Sequence, residues 1–133
     1  MNSSLAHIQV NVDFANISFY KDIMNFLGWK ELYADDAMAG YAGENGLSVW
    51  FSQAPEGGSH NPSTMGLSHI GIQTDTLGNV DKVVTYLKDH GIQTLHNTPA
   101  HRPEFSSEGQ TYYQVIFESP DKILFEVMYA GQK

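Results

Sequence analysis

Residues 66–74, which read Gly-Leu-Ser-His-Ile-Gly-Ile-Gln-Thr, repeat the pattern of residues 6–12, which read Ala-His-Ile-Gln-Val-Asn-Val. In both stretches polar and aliphatic residues alternate, as is typical of a β-strand with one face against an apolar layer. Each stretch places one histidine, His7 or His69, on the face opposite its aliphatic side chains. The chain therefore begins a second structural unit near residue 66, and an internal repeat of this length points to a duplicated module.

The residues that follow each strand continue the repeat. Apolar residues recur at three- and four-residue steps within residues 16–27 and again within residues 80–87, which predicts an amphipathic helix in each unit. Gly28 and Gly91 stand where a left-handed residue would end each helix. In the first unit, three short strands separated by turns are predicted after the helix, at residues 29–33, 38–42 and 47–53.

We therefore predict an α+β fold of two repeated βαβββ modules. The modules cover residues 5–53 and 66–129 of a single domain that spans residues 1–133, and residues 54–65 form a linker rich in Pro, Gly, Ser and Asn. In the second module we predict strands at residues 92–95, 111–118 and 123–129. Residues 97–110 are predicted to form a long polar loop, and loops of this length in a compact domain are usually functional.

The composition excludes several classes of protein. The formal charge of −8 arises from 15 acidic and 7 basic residues, so a phosphate backbone would be repelled and nucleic acid is not expected as a partner. The chain has no cysteine, which excludes disulfides and thiolate metal sites. Neither a signal peptide nor an apolar stretch long enough to cross a bilayer is visible. We expect a cytoplasmic protein that does not bind membranes.

Three residues on predicted strands are candidates for metal binding: His7, His69 and Glu126. Each lies on the face opposite the buried aliphatic side chains. Two imidazoles and a carboxylate can occupy part of the coordination sphere of a divalent metal, such as Zn, Ni, Mn or Fe, and leave positions open for substrate. Strand histidines are also common as hydrogen-bonded structural residues. Glu126 lies among apolar neighbours and needs a partner, which could be a metal or Arg102, the only arginine.

The chain resembles the vicinal-oxygen-chelate superfamily, which includes glyoxalases, bleomycin-resistance proteins and dioxygenases. Residues 117–126, read Phe-Glu-Ser-Pro-Asp-Lys-Ile-Leu-Phe-Glu, are similar to the closing turn of that family and its metal-binding glutamate. The resemblance implies that His7, His69 and Glu126 bind the metal and that Glu126 is also catalytic, as a proton shuttle. It further implies that the curved sheets form an open barrel and that the protein is a homodimer.

Two positions depart from the patterns of particular family members. Trp50 aligns with Glu126, where glyoxalase I has a second carboxylate, and a tryptophan cannot bind a metal. Ile116 stands where extradiol dioxygenases usually have a tyrosine. Trp50, Arg102 and Tyr113 are candidates for substrate binding, although core packing of the aromatic residues and surface exposure of Arg102 are alternatives.

We expect a metal-dependent enzyme that uses Lewis-acid chemistry on a small-molecule substrate with vicinal oxygens, of lyase or isomerase type. One alternative is a metal-free, drug-binding protein like the bleomycin-resistance proteins, which the acidic charge would suit. Another is a ring-cleaving dioxygenase or a fosfomycin-type transferase.

Overall fold

Each of the two units of the computed structural model, which describes residues 1–133, contains four strands and one α-helix. The units are Met1–Ser59 and His60–Lys133. The first contains β1 (His7–Val12), α1 (Ile17–Phe26), β2 (Lys30–Ala34), β3 (Met38–Ala42) and β4 (Ser48–Gln53). The second contains β5 (His69–Gln73), α2 (Leu77–Asp89), β6 (Thr94–His101), β7 (Gln110–Glu118) and β8 (Leu124–Gln132).

The two sheets have the same topology. The strand order is β1-β4-β3-β2 in the first sheet and β5-β8-β7-β6 in the second. β1 runs parallel to β4, and β5 runs parallel to β8. The remaining strand pairs are antiparallel. The prediction of an α+β fold built from two repeated βαβββ modules is confirmed. Residues 54–65 contain neither helix nor strand.

Each helix buries its apolar stripe against the sheet of its own module. Tyr20 of α1 is fully buried and stacks on Phe51 of β4, with 4.6 Å between ring centroids. In the second unit α2 packs against β6, β7 and β8, where the rings of Phe117 and Phe125 stack at 5.5 Å. Burying a side chain of this size stabilises a fold by about 1.5–3 kcal/mol, so these stripes hold the helices against the sheets. No helix is long and apolar enough to span a bilayer.

The helix ends agree with the turn residues in the sequence. Asp13 accepts a hydrogen bond from the Ala15 amide and caps a short 3-10 turn that leads into α1. Thr76 caps α2 by accepting from the Asn79 amide. Gly28 and Gly91 follow the two helices with φ angles of 84° and 67°, values that a glycine adopts without steric cost.

The prediction for residues 97–110 is wrong at its start, because β6 continues to His101 instead of ending at residue 95. Pairing with β7 is interrupted after Leu95 and resumes at Ala100. Between these points the Thr98 hydroxyl donates to the Leu95 carbonyl at 2.6 Å and accepts from the Ile116 amide at 2.9 Å. A side chain thus replaces the missing backbone bonds, and the segment forms a bulge. The proline and polar residues of a bulge look like a loop in the sequence.

Candidate metal centre

Strand register identifies equivalent positions in the two modules. Gln9 of β1 pairs with Trp50 of β4, and Gly71 of β5 pairs with Glu126 of β8. Gln9 and Gly71 each lie two residues after the histidine that opens their module. The structure therefore confirms the alignment of Trp50 with Glu126.

Glu126 is held by three side chains of its own module. Its side chain is only 9% exposed. One oxygen, Oε1, accepts hydrogen bonds from the Tyr112 hydroxyl and from Nε2 of Gln114, the latter at 2.9 Å. The other oxygen, Oε2, lies 3.1 Å from Nε2 of His69. A buried carboxylate is costly unless it is paired and hydrogen-bonded, and these contacts meet that requirement.

The antiparallel pairing of β7 with β8 brings these groups together. Ile116 is directly opposite Glu126, and Gln114 is opposite Met128, one diagonal step away on the same face. Tyr112 follows at the next position of that face. Long side chains reach across such diagonals, so Gln114 and Tyr112 can both bond the carboxylate.

Arg102 contacts Glu126 only through Gln114. Its Nε donates to Oε1 of Gln114 at 2.8 Å, and its Nη2 donates to the His96 carbonyl at 2.7 Å. Gln114 is 4% exposed, so its amide lies inside the protein with both ends bonded. The direct Arg102–Glu126 pair considered from the sequence is therefore not formed.

The His69 ring joins the carboxylate to the surface. Its side chain is 46% exposed, and Nδ1 lies 3.0 Å from the Ser68 hydroxyl. When Nε2 carries the hydrogen and donates to Glu126, Nδ1 accepts from Ser68. When Nε2 binds a metal instead, Nδ1 carries the hydrogen and Ser68 accepts it. The serine hydroxyl suits both tautomers, because it can donate or accept.

The spacing of His69 and Glu126 fits a divalent ion. Adjacent ligand atoms of an octahedral ion with bonds of about 2.1 Å are about 3 Å apart. Nε2 of His69 and Oε2 of Glu126 are 3.1 Å apart, and both are ligand types that Zn, Ni, Mn and Fe accept. The chain contains no group of three or more His, Asp or Glu side chains that could hold a metal. The structure thus joins two of the three predicted ligands, and His7 lies exposed at the start of β1.

Tyr113, a predicted substrate-binding residue, faces away from Glu126. Its hydroxyl donates to Asp81 of α2 at 2.8 Å, and its ring lies 4.7 Å from that of His101. Burial, and then the bond to Asp81, raise the pKa of Tyr113 to about 12. Burial, and then the bond to Glu126, likewise raise the pKa of Tyr112 to about 12. This placement argues against a substrate contact for Tyr113 beside Glu126.

At the position equivalent to Glu126, the first module has the neutral side chain of Trp50. Its indole covers Gly40, where a Cβ atom would overlap the ring. Its Nε1 donates to the Ser48 hydroxyl at 2.9 Å. Nearby on β1 and β4, Nε2 of Gln9 donates to the Ser52 hydroxyl at 3.0 Å. At this position the first module thus has an aromatic ring and hydrogen-bonding groups in place of the carboxylate of Glu126.

Sequence reasoning missed Gln114 and did not assign Tyr112 to Glu126. One signal was available for Gln114, which is a polar residue between apolar neighbours in a strand that pairs with β8. Its partner was not visible, because the register between β7 and β8 decides which side chains meet.

Comparisons with known proteins agree with the fold. A family model described as Glyoxalase/Bleomycin resistance protein/Dioxygenase superfamily matches residues 4–127. No curated protein matches the chain. A protein from Bacillus halodurans assigned as a glyoxalase has 22% identity and a TM-score of 0.78, with 94% of each chain covered. A glyoxalase/bleomycin resistance protein from Albidiferax ferrireducens has 16% identity and a TM-score of 0.74, with 96% of this chain and 99% of that chain covered.

A third similar structure contains a metal. The fosfomycin resistance protein FosX from Listeria monocytogenes, complexed with Mn(II) and sulfate, has 24% identity and a TM-score of 0.68, with 97% of this chain and 91% of that chain covered. Identities this low show a shared fold and no more. The family match covers nearly all of the sequence and confirms the resemblance found in residues 117–126. The chain belongs to the Glyoxalase/Bleomycin resistance protein/Dioxygenase superfamily.

Proposed function

We propose that the protein is a metal-dependent enzyme that acts on a small substrate with vicinal oxygens, in a reaction of lyase or isomerase type. The observation that carries the proposal is the pair formed by His69 and Glu126, whose ligand atoms are 3.1 Å apart. Membership of the superfamily supports it, as does the Mn(II) ion in the similar FosX structure.

In this proposal His69 and Glu126 hold the ion together with His7, the histidine at the repeat-equivalent position. The ion is Zn, Ni, Mn or Fe, all of which accept imidazole and carboxylate ligands. A bound divalent ion would act as a Lewis acid and stabilise charge that develops on the substrate oxygens.

The remaining residues keep Glu126 oriented. Burial, and then the bond to Glu126, raise the pKa of Tyr112 to about 12, so its hydroxyl stays protonated at neutral pH and donates to Oε1. Gln114 donates to the same oxygen. Oε1 thus accepts two hydrogen bonds, and Oε2 is the oxygen left to bind either the ion or a proton. Trp50 and Arg102 remain proposed substrate contacts, through an aromatic face and a guanidinium charge respectively.

Metal content tests the proposal. Purified wild-type protein should contain or take up nearly one equivalent of divalent metal, and His69→Ala and His7→Ala should each lose it. His90→Ala is the matched control, because His90 stacks on Tyr86 in α2 and bonds the Tyr86 carbonyl. Its metal content should equal that of the wild type. Wild-type protein that is metal-free and cannot be reconstituted would exclude the proposal.

A metal-free binding protein is the second candidate, and the hydrogen bonds of Glu126 favour it. Tyr112, Gln114 and His69 satisfy the carboxylate without an ion. The charge of −8 would suit a cationic drug. Calorimetric binding of such a drug by protein that takes up no metal would support this candidate.

A ring-cleaving dioxygenase is a further alternative. If the purified protein contains iron, oxygen consumption would distinguish a dioxygenase from a redox-silent lyase.

We also propose that the protein is a homodimer, as the resemblance to the superfamily implies. Sedimentation equilibrium should give about twice the chain mass of 14.8 kDa. A single species at the chain mass would contradict the dimer. Loss of the dimer would not by itself affect the metal proposal, since metal content is measured separately.

A further inference from the structure

We propose that Arg102 and Gln114 form a positioning relay that holds Glu126 so that only Oε2 is available to a ligand. This inference rests on the proposed metal site and adds to it two residues that do not bind the metal. Arg102 acts through Gln114, and Gln114 acts through Glu126. The relay implies that Glu126 is a monodentate ligand.

Arg102 fixes the orientation of the Gln114 amide. A guanidinium can only donate hydrogen bonds, so the Gln114 atom that lies 2.8 Å from Nε of Arg102 must be the oxygen. The NH₂ group must then face Glu126, to which it donates at 2.9 Å. A rotated amide would put NH₂ against the guanidinium and oxygen against the carboxylate, which are two repulsive contacts. The orientation is thus set by chemistry.

Arg102 is itself held at two further points. Its Nη2 donates to the His96 carbonyl at 2.7 Å, and its backbone amide donates to the Tyr112 carbonyl at 2.7 Å. The guanidinium therefore bridges the bulged part of β6 to the side chain of Gln114. Such a bridge needs a planar group with separate donors, and the single ammonium of a lysine is a poor substitute.

The relay determines which oxygen of Glu126 can bind. Oε1 accepts from both Tyr112 and Gln114, so rotation of the carboxylate would break two hydrogen bonds. Oε2 has only the contact with Nε2 of His69. Bidentate binding would require Oε1 to give up its donors. Residues that hold a metal ligand in this way typically change metal affinity by about 10- to 100-fold when they are mutated.

Three variants separate the relay from a general effect of charge. Arg102→Gln removes the guanidinium, and Arg102→Lys keeps the positive charge but lacks the planar group with separate donors. Lys82→Gln is the matched control, because Lys82 carries the same charge on α2, where it donates to Asn79. Two quantities are measured: the affinity for Mn(II), from the electron paramagnetic resonance signal of the free ion, and the side-chain amide signals of Gln114 in ¹⁵N-labelled metal-free protein.

The relay predicts a clear pattern. Arg102→Gln should weaken Mn(II) binding by about 10-fold or more, Arg102→Lys should recover only part of this loss, and Lys82→Gln should match the wild type. In metal-free wild-type protein the Gln114 amide protons should exchange slowly with solvent, because both ends of the group are bonded. In Arg102→Gln they should shift and exchange faster, while the thermal midpoint shows that the protein remains folded.

Other outcomes overturn the relay. Wild-type Mn(II) affinity in Arg102→Gln would do so, as would weakened affinity with unchanged Gln114 signals, since Arg102 would then act through its charge alone. If wild-type protein binds none of Mn(II), Zn(II), Ni(II) and Fe(II), the proposed function fails, and the Gln114 signals of the metal-free variants still decide the relay. If Arg102→Gln does not fold, Gln114→Met replaces it; the same loss of affinity supports the relay, and wild-type affinity contradicts it.

Discussion

Trp50 and Glu126 occupy equivalent positions in the two modules, each paired with the residue two places after the opening histidine. The tryptophan covers Gly40 and bonds Ser48, whereas the glutamate is held by His69, Tyr112 and Gln114 in the second module. The backbone is therefore repeated, but the chemistry at this position is not. The second carboxylate found in glyoxalase I has no counterpart at Trp50.

Substitution of Glu126 should separate its charge from its hydrogen bonds. In Glu126→Gln an amide oxygen can still accept from Tyr112 and Gln114, so we expect the free energy of unfolding to fall by no more than about 1.5 kcal/mol. Metal binding should be lost, because the anionic ligand is gone. Glu126→Ala should lose metal and also about 3 kcal/mol of stability, because the buried Gln114 amide and the half-buried Tyr112 hydroxyl lose their acceptor. Urea unfolding and metal analysis would measure both, and equal stability of the two variants would contradict this account.

Two neighbouring tyrosines provide a matched pair of substitutions. Tyr112→Phe removes a donor to Glu126, and Tyr113→Phe removes a donor to Asp81 on the opposite face of β7. We expect Mn(II) affinity to fall by about 10-fold in Tyr112→Phe and to stay unchanged in Tyr113→Phe. Titration with Mn(II) would measure the two affinities. A larger effect at Tyr113 would mean that the site lies on the helix side of the sheet.

A side chain at Gly40 should destabilise the protein, because a Cβ atom there would overlap the Trp50 ring. We expect Gly40→Ala to lower the free energy of unfolding by about 1–3 kcal/mol through overpacking. Gly71→Ala is the control, since a Cβ atom there meets no atom within 4 Å. It should leave stability unchanged or raise it slightly, because alanine restricts the unfolded chain. Chemical denaturation would compare them, and equal stability would show that Trp50 moves aside.

Stability should fall at alkaline pH through Tyr41. Burial, and then the nearby charges of Glu31 and Asp22, raise its pKa from 10.0 to about 12. The protonated hydroxyl is thus favoured in the folded state, so its contribution is complete below pH 10 and is lost as pH rises to about 12. Urea midpoints measured from about pH 9 to about pH 12 should fall with rising pH, and they should fall less steeply in Tyr41→Phe than in the wild type. Identical slopes would exclude this role for Tyr41.

The sequence predicts the fold well where the pattern is local. Strand alternation in β1 and β5 and the helical stripes of α1 and α2 depend on neighbours in the chain, and the structure has these elements within a few residues of the predicted ends. The end of β6 was not predictable in this way. Its continuation depends on Thr98, whose hydroxyl bonds the Ile116 amide of another strand.

The sequence alone determined the repeated module, the family, and the candidate ligands His7, His69 and Glu126, because repeats, periodicity and the closing turn are visible in residue order. Tertiary structure decided how Glu126 is held. The register of β7 against β8 places Tyr112 and Gln114 on Oε1 and turns Tyr113 towards Asp81. A shift of one residue would reverse that arrangement. Register is set by contacts between strands far apart in sequence, and local pattern does not contain it.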